Sequence, residues 1–368
     1  MIISDIHRFF ERWAPRDIAW EKDNPGLQAG DPDERVRGIL LALDATERVV
    51  AEAVRRKTNL VVTHHPLLFR PLRSATTESL AGRILRSLMQ SGINLYSVHT
   101  NLDFTRGGTS FALGTLLNLR SMQFLARPYR RSAKIVTYAP AGSVRAVAAS
   151  MTAAGAGQIG NYTGCSFRTE GRGTFRGNRS SRPVVGKREQ LEEVDEVRLE
   201  MMLARRDIDR VVAALRDAHP YEEPAYDVYL LENTDSGYGM GVIGELPQAL
   251  TLHTFLRRLK QTLRCGALRW TGNPSGRVRK IALCGGSGSE LLDEAVRHDA
   301  DVFVTADVTY HRFHEAAGRI ALVDAGHHET EYPVLATVAS RLREFLRSEG
   351  TQIPVLMARS STNPVAYL

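Results

Sequence analysis

An α/β protein with two parallel-sheet halves, split by a smaller inserted α+β domain, is the fold class this sequence predicts. Three observations predict it. In two separate stretches, short apolar runs alternate with helical patterns of roughly ten to fifteen residues, as βαβ units require. The stretch between them has a different texture. Histidines and carboxylates also recur directly after predicted strands of both outer stretches, where open α/β sheets bind ligands.

The 368 residues, 43% hydrophobic and 24% charged, are ordinary for a globular chain and exclude disordered, collagen-like and fibrous classes. Cys165, Cys265 and Cys284 are too few and too scattered for a disulfide framework or a zinc finger. Residues 1–15 carry Asp5, His7, Arg8, Glu11 and Arg12 and no apolar core, so no signal peptide is expected. No stretch approaches the roughly 20 apolar residues of a membrane span, so a cytoplasmic location is expected. The net charge of +7 rests almost wholly on arginine. It suits an anionic small molecule, and nucleic acid is not the expected partner.

Val36 to Leu43 reads as a strand, Thr46 to Arg56 as a helix and Asn59 to Thr63 as a buried strand. Leu80 to Gln90 is the next helix and Ile93 to Val98 the next strand. The rhythm returns late in the chain. Val278 to Cys284 is a strand, Gly285 to Gly288 a tight turn and Glu290 to His298 a helix. Asp301 to Thr305 and Arg319 to Val323 are strands around a helix from Thr309 to Ala317. Glu331 to Ser348 reads as a long last helix with Pro333 in its first turn, followed by a tail from Thr351 to Leu368. In the middle, Lys134 to Tyr138, Glu196 to Met202 and Ala225 to Leu230 are strands, and Val144 to Ala154 and Asp207 to Ala218 are helices. That layout fits a ferredoxin-like α+β sandwich whose Gly-, Ser- and Arg-rich segment 168–188 is a solvated loop. The expected domains are 1–129, 130–234 and 235–368.

Seven of the eleven histidines fall in two sequence neighbourhoods, His64, His65 and His99 in one and His311, His314, His327 and His328 in the other. His64 and His65 follow one predicted strand, His99 and Asp103 a second, and His327 and Glu331 a third. Adjacent strand residues point to opposite faces, so His64 and His65 converge only if the chain bends, which Pro66 favours. His327 and Glu331, four apart, share a face if the segment is helical. Three imidazoles and two carboxylates, with no thiolate, suit Zn, Fe, Mn or a similar divalent ion. Five donors are too many for one open zinc and suit two ions sharing a bridging carboxylate. His99 is read as an orienting residue, His328 and Glu329 as pointing away from His327, and His311 and His314 as lying on a helix start. The run from Cys284 to Ser289 lacks the second glycine of a nucleophile elbow and reads better as a phosphate-cradling or structural turn.

Four runs, LLALDATERVVAEAVRRKTNLVVTHHPLLF, YSVHTNLD, ADVFVTADVTYHRFHEA and DAGHHETE, resemble the Nif-three-like dinuclear metal-centre proteins, homologues of the type-two form of GTP cyclohydrolase I. The segment from Trp20 to Leu27 resembles that family's W-D-N-x-G-L signature, with Pro25 where members often have Val. The strings GAGQIGNYTGCSF, DEVRLE and HPYEEPAYDVY resemble the insert of its three-domain members, which is similar to PII and CutA folds. The resemblance implies a site of two divalent ions held by His64, His65, Asp103, His327 and Glu331, with Glu331 as the bridge. It also implies a toroidal homohexamer, a dimer of trimers with sites facing an internal cavity. Its expected activity is metal-dependent hydrolysis of a nucleotide-like anionic substrate, with His311 as a candidate proton shuttle. The alternative it leaves open is a non-enzymatic metal-binding or regulatory assembly with a ligand-sensing insert. Ala306 stands where many members have Gly in a T-G-D/E turn, which puts the fine geometry there in question.

Overall fold

The computed structural model describes residues 1–72, 74–126, 132–233 and 237–368. Its chain contacts divide it into two compact units, Met1–Arg127 with Gly237–Leu368, and Pro128–Ser236. The expected boundaries at 129/130 and 234/235 touch residues outside the described ones. No helix among the described residues is long and apolar enough to cross a membrane.

The larger unit holds two sheets. The first runs in the order Gly26–Ala29, Asn94–Ser97, Leu60–Thr63, Ile39–Ala42, Val355–Met357. Its last four strands are parallel, and Gly26–Ala29 joins antiparallel at one edge. Its three central strands are buried throughout, the pattern of a parallel sheet covered on both faces. On one face Val49, Val50 and Ala53 of helix Glu47–Arg55 and Ile84 and Leu88 of helix Leu80–Gln90 pack on Leu40, Val61 and Leu95. Both helices begin where the sequence supplies a cap. Thr46 accepts from the Val49 amide at 3.2 Å and Ser79 from the Gly82 amide at 3.0 Å, each worth about 1 kcal/mol. On the other face, helix Ile3–Trp13 brings Ile3, Ile6 and Phe10, and helix Val334–Ser348 brings Val334, Val338 and Leu342.

The second sheet runs Arg269–Trp270, Ala321–Asp324, Val302–Ala306, Arg277–Ser287, Met240–Thr251, Arg120–Ala126. Its three parallel strands are those expected between Val278 and Val323. Helix Leu252–Leu263 covers one face, and Leu292–Arg297 and Tyr310–Ala316 the other.

Two strands are added to those expected, and one expectation is corrected. The sheets exchange late elements: Arg120–Ala126 pairs into the second sheet, with Phe124 opposite Val242. The tail after Thr351 supplies Val355–Met357 as a parallel strand of the first. The last helix does not begin at Glu331. His327–Glu331 is a separate helical turn, and Pro333, without an amide N–H to continue the ladder, caps the helix Val334–Ser348.

The smaller unit is one antiparallel sheet in the order Phe167–Arg176, Leu191–Ala204, Ser132–Ala139, Tyr226–Leu230. Helices Val144–Ala153 and Ile208–Ala218 pack Val147, Met151, Val211 and Leu215 on Ile135, Leu199 and Met201. This strand order and helix placement are those of a βαββαβ sandwich. The expectation of a loop over 168–188 fails in its first half. Phe167–Arg176 is a strand whose ten residues pair with Leu191–Ala204, and its mostly exposed face carries none of the apolar alternation that would mark it.

Candidate metal centre

Three parallel strands of the larger unit, Leu60–Thr63, Asn94–Ser97 and Ala321–Asp324, lead into the site residues at their carboxyl ends. His64 and His65 leave Leu60–Thr63 together. Thr63 Oγ1 donates to the His65 carbonyl at 2.8 Å and Ser97 Oγ to the His64 carbonyl at 2.8 Å. Both rings turn to the same side, with centroids 5.0 Å apart. Asp103 closes the short helical turn Thr100–Asp103 after strand Asn94–Ser97. His327 and Glu331 bracket the turn His327–Glu331 after strand Ala321–Asp324.

These five residues meet. Glu331 Oε1 lies 3.0 Å from His327 Nε2 and 3.6 Å from His64 Nε2, while its Oε2 lies 3.0 Å from His65 Nε2. His64 Nε2 is also 3.5 Å from Asp103 Oδ1. Donor atoms of His65, His327 and Glu331 lie within 4.8 Å of one another, as do those of His64, His65 and His99. Either group can hold a metal ion.

The Nδ1 atoms are all spoken for. His64 Nδ1 is 2.8 Å from the Val98 carbonyl, His65 Nδ1 2.8 Å from Asp44, His99 Nδ1 2.8 Å from Asp23 and His327 Nδ1 2.7 Å from Asp307. An acceptor on Nδ1 places the proton there and leaves the Nε2 lone pair facing the cluster, the arrangement that orients metal-binding imidazoles. His64 Nε2, Asp103 Oδ1 and Glu331 Oε2 are buried without a hydrogen-bond partner. Buried polar atoms without a hydrogen bond are costly, and cations held among His64, Asp103 and Glu331, whose Oε2 faces His65 Nε2 at 3.0 Å, would satisfy them.

Without an ion, protons compensate the carboxylates. Burial pushes His65 down, but Asp44 and Glu331 outweigh it and raise it to about 10; the same balance with Glu331 and Asp307 raises His327 to about 9. Glu331, despite burial, is held well below the carboxylate range by His64, His327 and His65. Burial pushes Asp103 up, against the pull of His64. Burial pushes Asp23 up too, yet its bonds from His99 and Thr100 bring it to about 2.

The glycine run Cys284–Ser289 is part of this centre rather than a separate phosphate cradle. Gly285 N–H donates to Ser110 Oγ at 3.2 Å and Gly286 N–H to Thr330 Oγ1 at 3.0 Å, while Thr305 Oγ1 donates to the Gly286 carbonyl at 3.0 Å. With φ at +65°, Gly286 bends the end of strand Arg277–Ser287 against Glu331. A cleft of about 100 Å³ opens beside the cluster, lined among others by Trp20, His99, Asp103, Phe104, Cys284 and Glu331. Burial pushes the Cys284 thiol up, so it stays protonated.

His311 is not brought to the cleft. It sits exposed on helix Tyr310–Ala316 with its ring 5.5 Å from Tyr310, and His314 meets the same tyrosine edge-on at 4.7 Å. His328 stacks on Tyr332, and Glu329 accepts from Asn363 Nδ2 at 3.1 Å, so both face away from the cluster. Ala306 needs no glycine, since the left-handed residue of that turn is Asp307 at φ +52°, the same residue that holds His327. The roles of Asp44 and Asp307 are not legible in the sequence. Their one signal is position, just past a parallel strand.

The fold and cluster define an α/β protein carrying a histidine–carboxylate site fit for metal ions. Residues 1–364 match the family model described as Duf34/NIF3 (NGG1p interacting factor 3), and the chain belongs to that family. It is 36% identical over 365 residues to a protein of Halalkalibacterium halodurans named "GTP cyclohydrolase 1 type 2 homolog", covering 99% of this chain and 98% of the relative. A Bacillus subtilis protein of the same name is 34% identical over 365 residues, covering 99% and 98%. Among solved structures, a Bacillus cereus protein related to NIF3 superposes with a TM-score of 0.78 at 36% identity, covering 100% of this chain and 99% of that one. Staphylococcus aureus protein SA1388 gives 0.82 at 31% identity, with coverage of 100% and 99%.

Proposed function

We propose that the chain holds two divalent ions, of the Zn, Fe or Mn class, through His64, His65, Asp103, His327 and Glu331, and uses them to hydrolyse a nucleotide-like anionic substrate. The observation that carries the metal part is the meeting of the His64, His65 and His327 Nε2 atoms with the Asp103 and Glu331 carboxylates, where His64 Nε2, Asp103 Oδ1 and Glu331 Oε2 are buried without a hydrogen bond. Glu331 is the bridge in this reading, because its two oxygens face different imidazoles: Oε1 faces His327 and Oε2 faces His65. When bound, such a pair lowers the pKa of water and polarises a substrate oxygen.

The chain's own residues do the rest. Asp44 and Asp307 fix two imidazole tautomers. His99, tied to Asp23 and lining the cleft, is the group in reach to take or return a proton. It takes over the role expected of His311, which the cleft lining does not include. The nucleotide-like substrate draws support from the names of the relatives. Purified chain loaded with zinc or manganese is tested for nucleotide turnover, GTP first. Loss in His65→Ala and Glu331→Gln with the fold intact supports the reading; full metal occupancy with no turnover of any nucleotide in a broad panel sinks the enzymatic part.

A second reading is a non-enzymatic metal-binding assembly, a cytoplasmic homohexamer in which a PII/CutA-like insert senses a ligand. What favours it is the compact separate βαββαβ unit within Pro128–Ser236. A solution mass of six chains, with metal bound and no turnover, selects it.

A further inference from the structure

We propose that Trp20 is a stacking platform for a planar heteroaromatic ring, and that this ring is the part of the substrate gripped beside the metal cluster. The inference rests on the metal-centre reading above and names the substrate feature that the site recognises.

Trp20 is 47% exposed, and a single exposed aromatic needs no explanation. Three further facts set it apart. It lines the cleft that opens on His99, Asp103, His327 and Glu331. Its indole leans on Phe104, buried at 4% exposure, with centroids 5.7 Å apart. Its backbone is anchored by the network that orients the site. The Trp20 N–H donates to Thr100 Oγ1 at 3.0 Å, Thr100 Oγ1 donates in turn to Asp23, and Asp23 accepts from His99 Nδ1. The ring is therefore held against a rigid support, at a fixed place relative to the cluster, with much of its surface open.

A second exposed aromatic flanks the same histidine. Phe69 is 43% exposed and meets His99 edge-on at 6.1 Å. The two loops are stitched together, since Asn24 Nδ2 donates to the Leu68 carbonyl at 2.7 Å and the Leu68 N–H to Gln28 Oε1 at 2.9 Å. Trp20 lines the cleft together with His99, and Phe69 meets the ring of that histidine from a segment tied to the one that carries Trp20, so exposed aromatic surface is available there for a flat apolar face. A cluster that binds cations supplies attraction for an anionic tail. A ring joined to a phosphate satisfies both, whereas a sugar phosphate alone leaves the aromatic surface wet.

The test compares GMP and AMP with ribose 5-phosphate, which shares their charge and sugar but has no base, by equilibrium dialysis against zinc-loaded full chain. The expected result is at least about fivefold tighter binding of the nucleotides, the lower end of what base–aromatic stacking gives. Trp20→Ala erases that difference and Trp20→Phe keeps most of it, with zinc content equal in all three. In a Trp13→Phe, Trp270→Phe background, GMP quenches the remaining Trp20 emission and ribose 5-phosphate does not. Zinc-loaded wild type with no preference for the base, or Trp20→Ala that keeps the preference, overturns the platform and leaves the metal centre standing. If the wild type holds no zinc, the metal reading fails. A Trp20-dependent preference in that metal-free protein still supports the platform, and its absence overturns both.

Discussion

Gly286 stands so close to Glu331 that a Cβ at position 286 would lie 2.2 Å from Glu331 Oε1 and 3.3 Å from His327 Nε2. The backbone at 286 also needs φ at +65°, a conformation that glycine adopts freely and other residues adopt at a cost. Gly286→Ala is therefore expected to push Glu331 off the cluster. Metal affinity, read by competition with a chromophoric chelator, falls by more than tenfold, while circular dichroism shows the fold retained. Unchanged affinity would show that Glu331 is not a ligand in the position seen.

The two aspartates that hold imidazoles from behind give a separate test. Asp307→Asn and Asp44→Asn keep the shape but weaken the acceptors on His327 Nδ1 and His65 Nδ1. Replacing such supporting carboxylates typically costs ten- to a hundredfold in metal affinity. Each variant is predicted to lose affinity in that range, without touching the other imidazole's contacts.

Metal loading must displace the protons that His65 and His327 carry in the ion-free protein, where they titrate near 10 and 9. Binding is thus predicted to release protons at neutral pH, and affinity to rise with pH until these imidazoles are neutral. Calorimetry in buffers of different ionisation enthalpy measures the release directly. In the ion-free protein the sign is opposite. The raised imidazole values stabilise the fold fully below the unfolded value near 6.5, and that contribution is lost as pH climbs through 9 to 10.

The C-terminal strand has its own latch. Glu52, 3% exposed, accepts from the Arg359 amide at 2.9 Å and the Ser360 amide at 3.0 Å, and pairs with Arg56 at 3.0 Å. Burial pushes its carboxyl up, but these bonds prevail and hold it at about 2, below its ordinary 4.5. A depressed carboxyl adds stability above the unfolded value and loses it as pH falls through the folded one, here between 4.5 and about 2. Glu52→Gln is expected to cost about 3 kcal/mol at neutral pH and to flatten the acid dependence over that window. An acid-denaturation series on both proteins checks it.

Much of the centre was legible because its signals are local. His64 and His65 sit together after an apolar run, and the four-residue spacing of His327 and Glu331 works on any helical turn, even the five-residue one that carries them. Asp44 and Asp307 were not, because a lone acid after a strand has no period, and their imidazole partners lie 21 and 20 residues away. Gly286 was visible as a turn former but not as the wall of the site, since its close approach to Glu331 depends on the strand Arg277–Ser287 meeting the turn His327–Glu331. The same limit hid the partners of Arg120–Ala126 and Val355–Met357. Nothing within such short segments states which of two sheets they will join.

Metal content per chain, after mild purification and saturation with zinc or manganese, tests the central claim most directly when wild type and Glu331→Gln are measured side by side. The account predicts two ions per wild-type chain and one or none in the variant, both proteins folded. Fewer than two ions in the saturated wild type, or an undiminished count in Glu331→Gln, would contradict it.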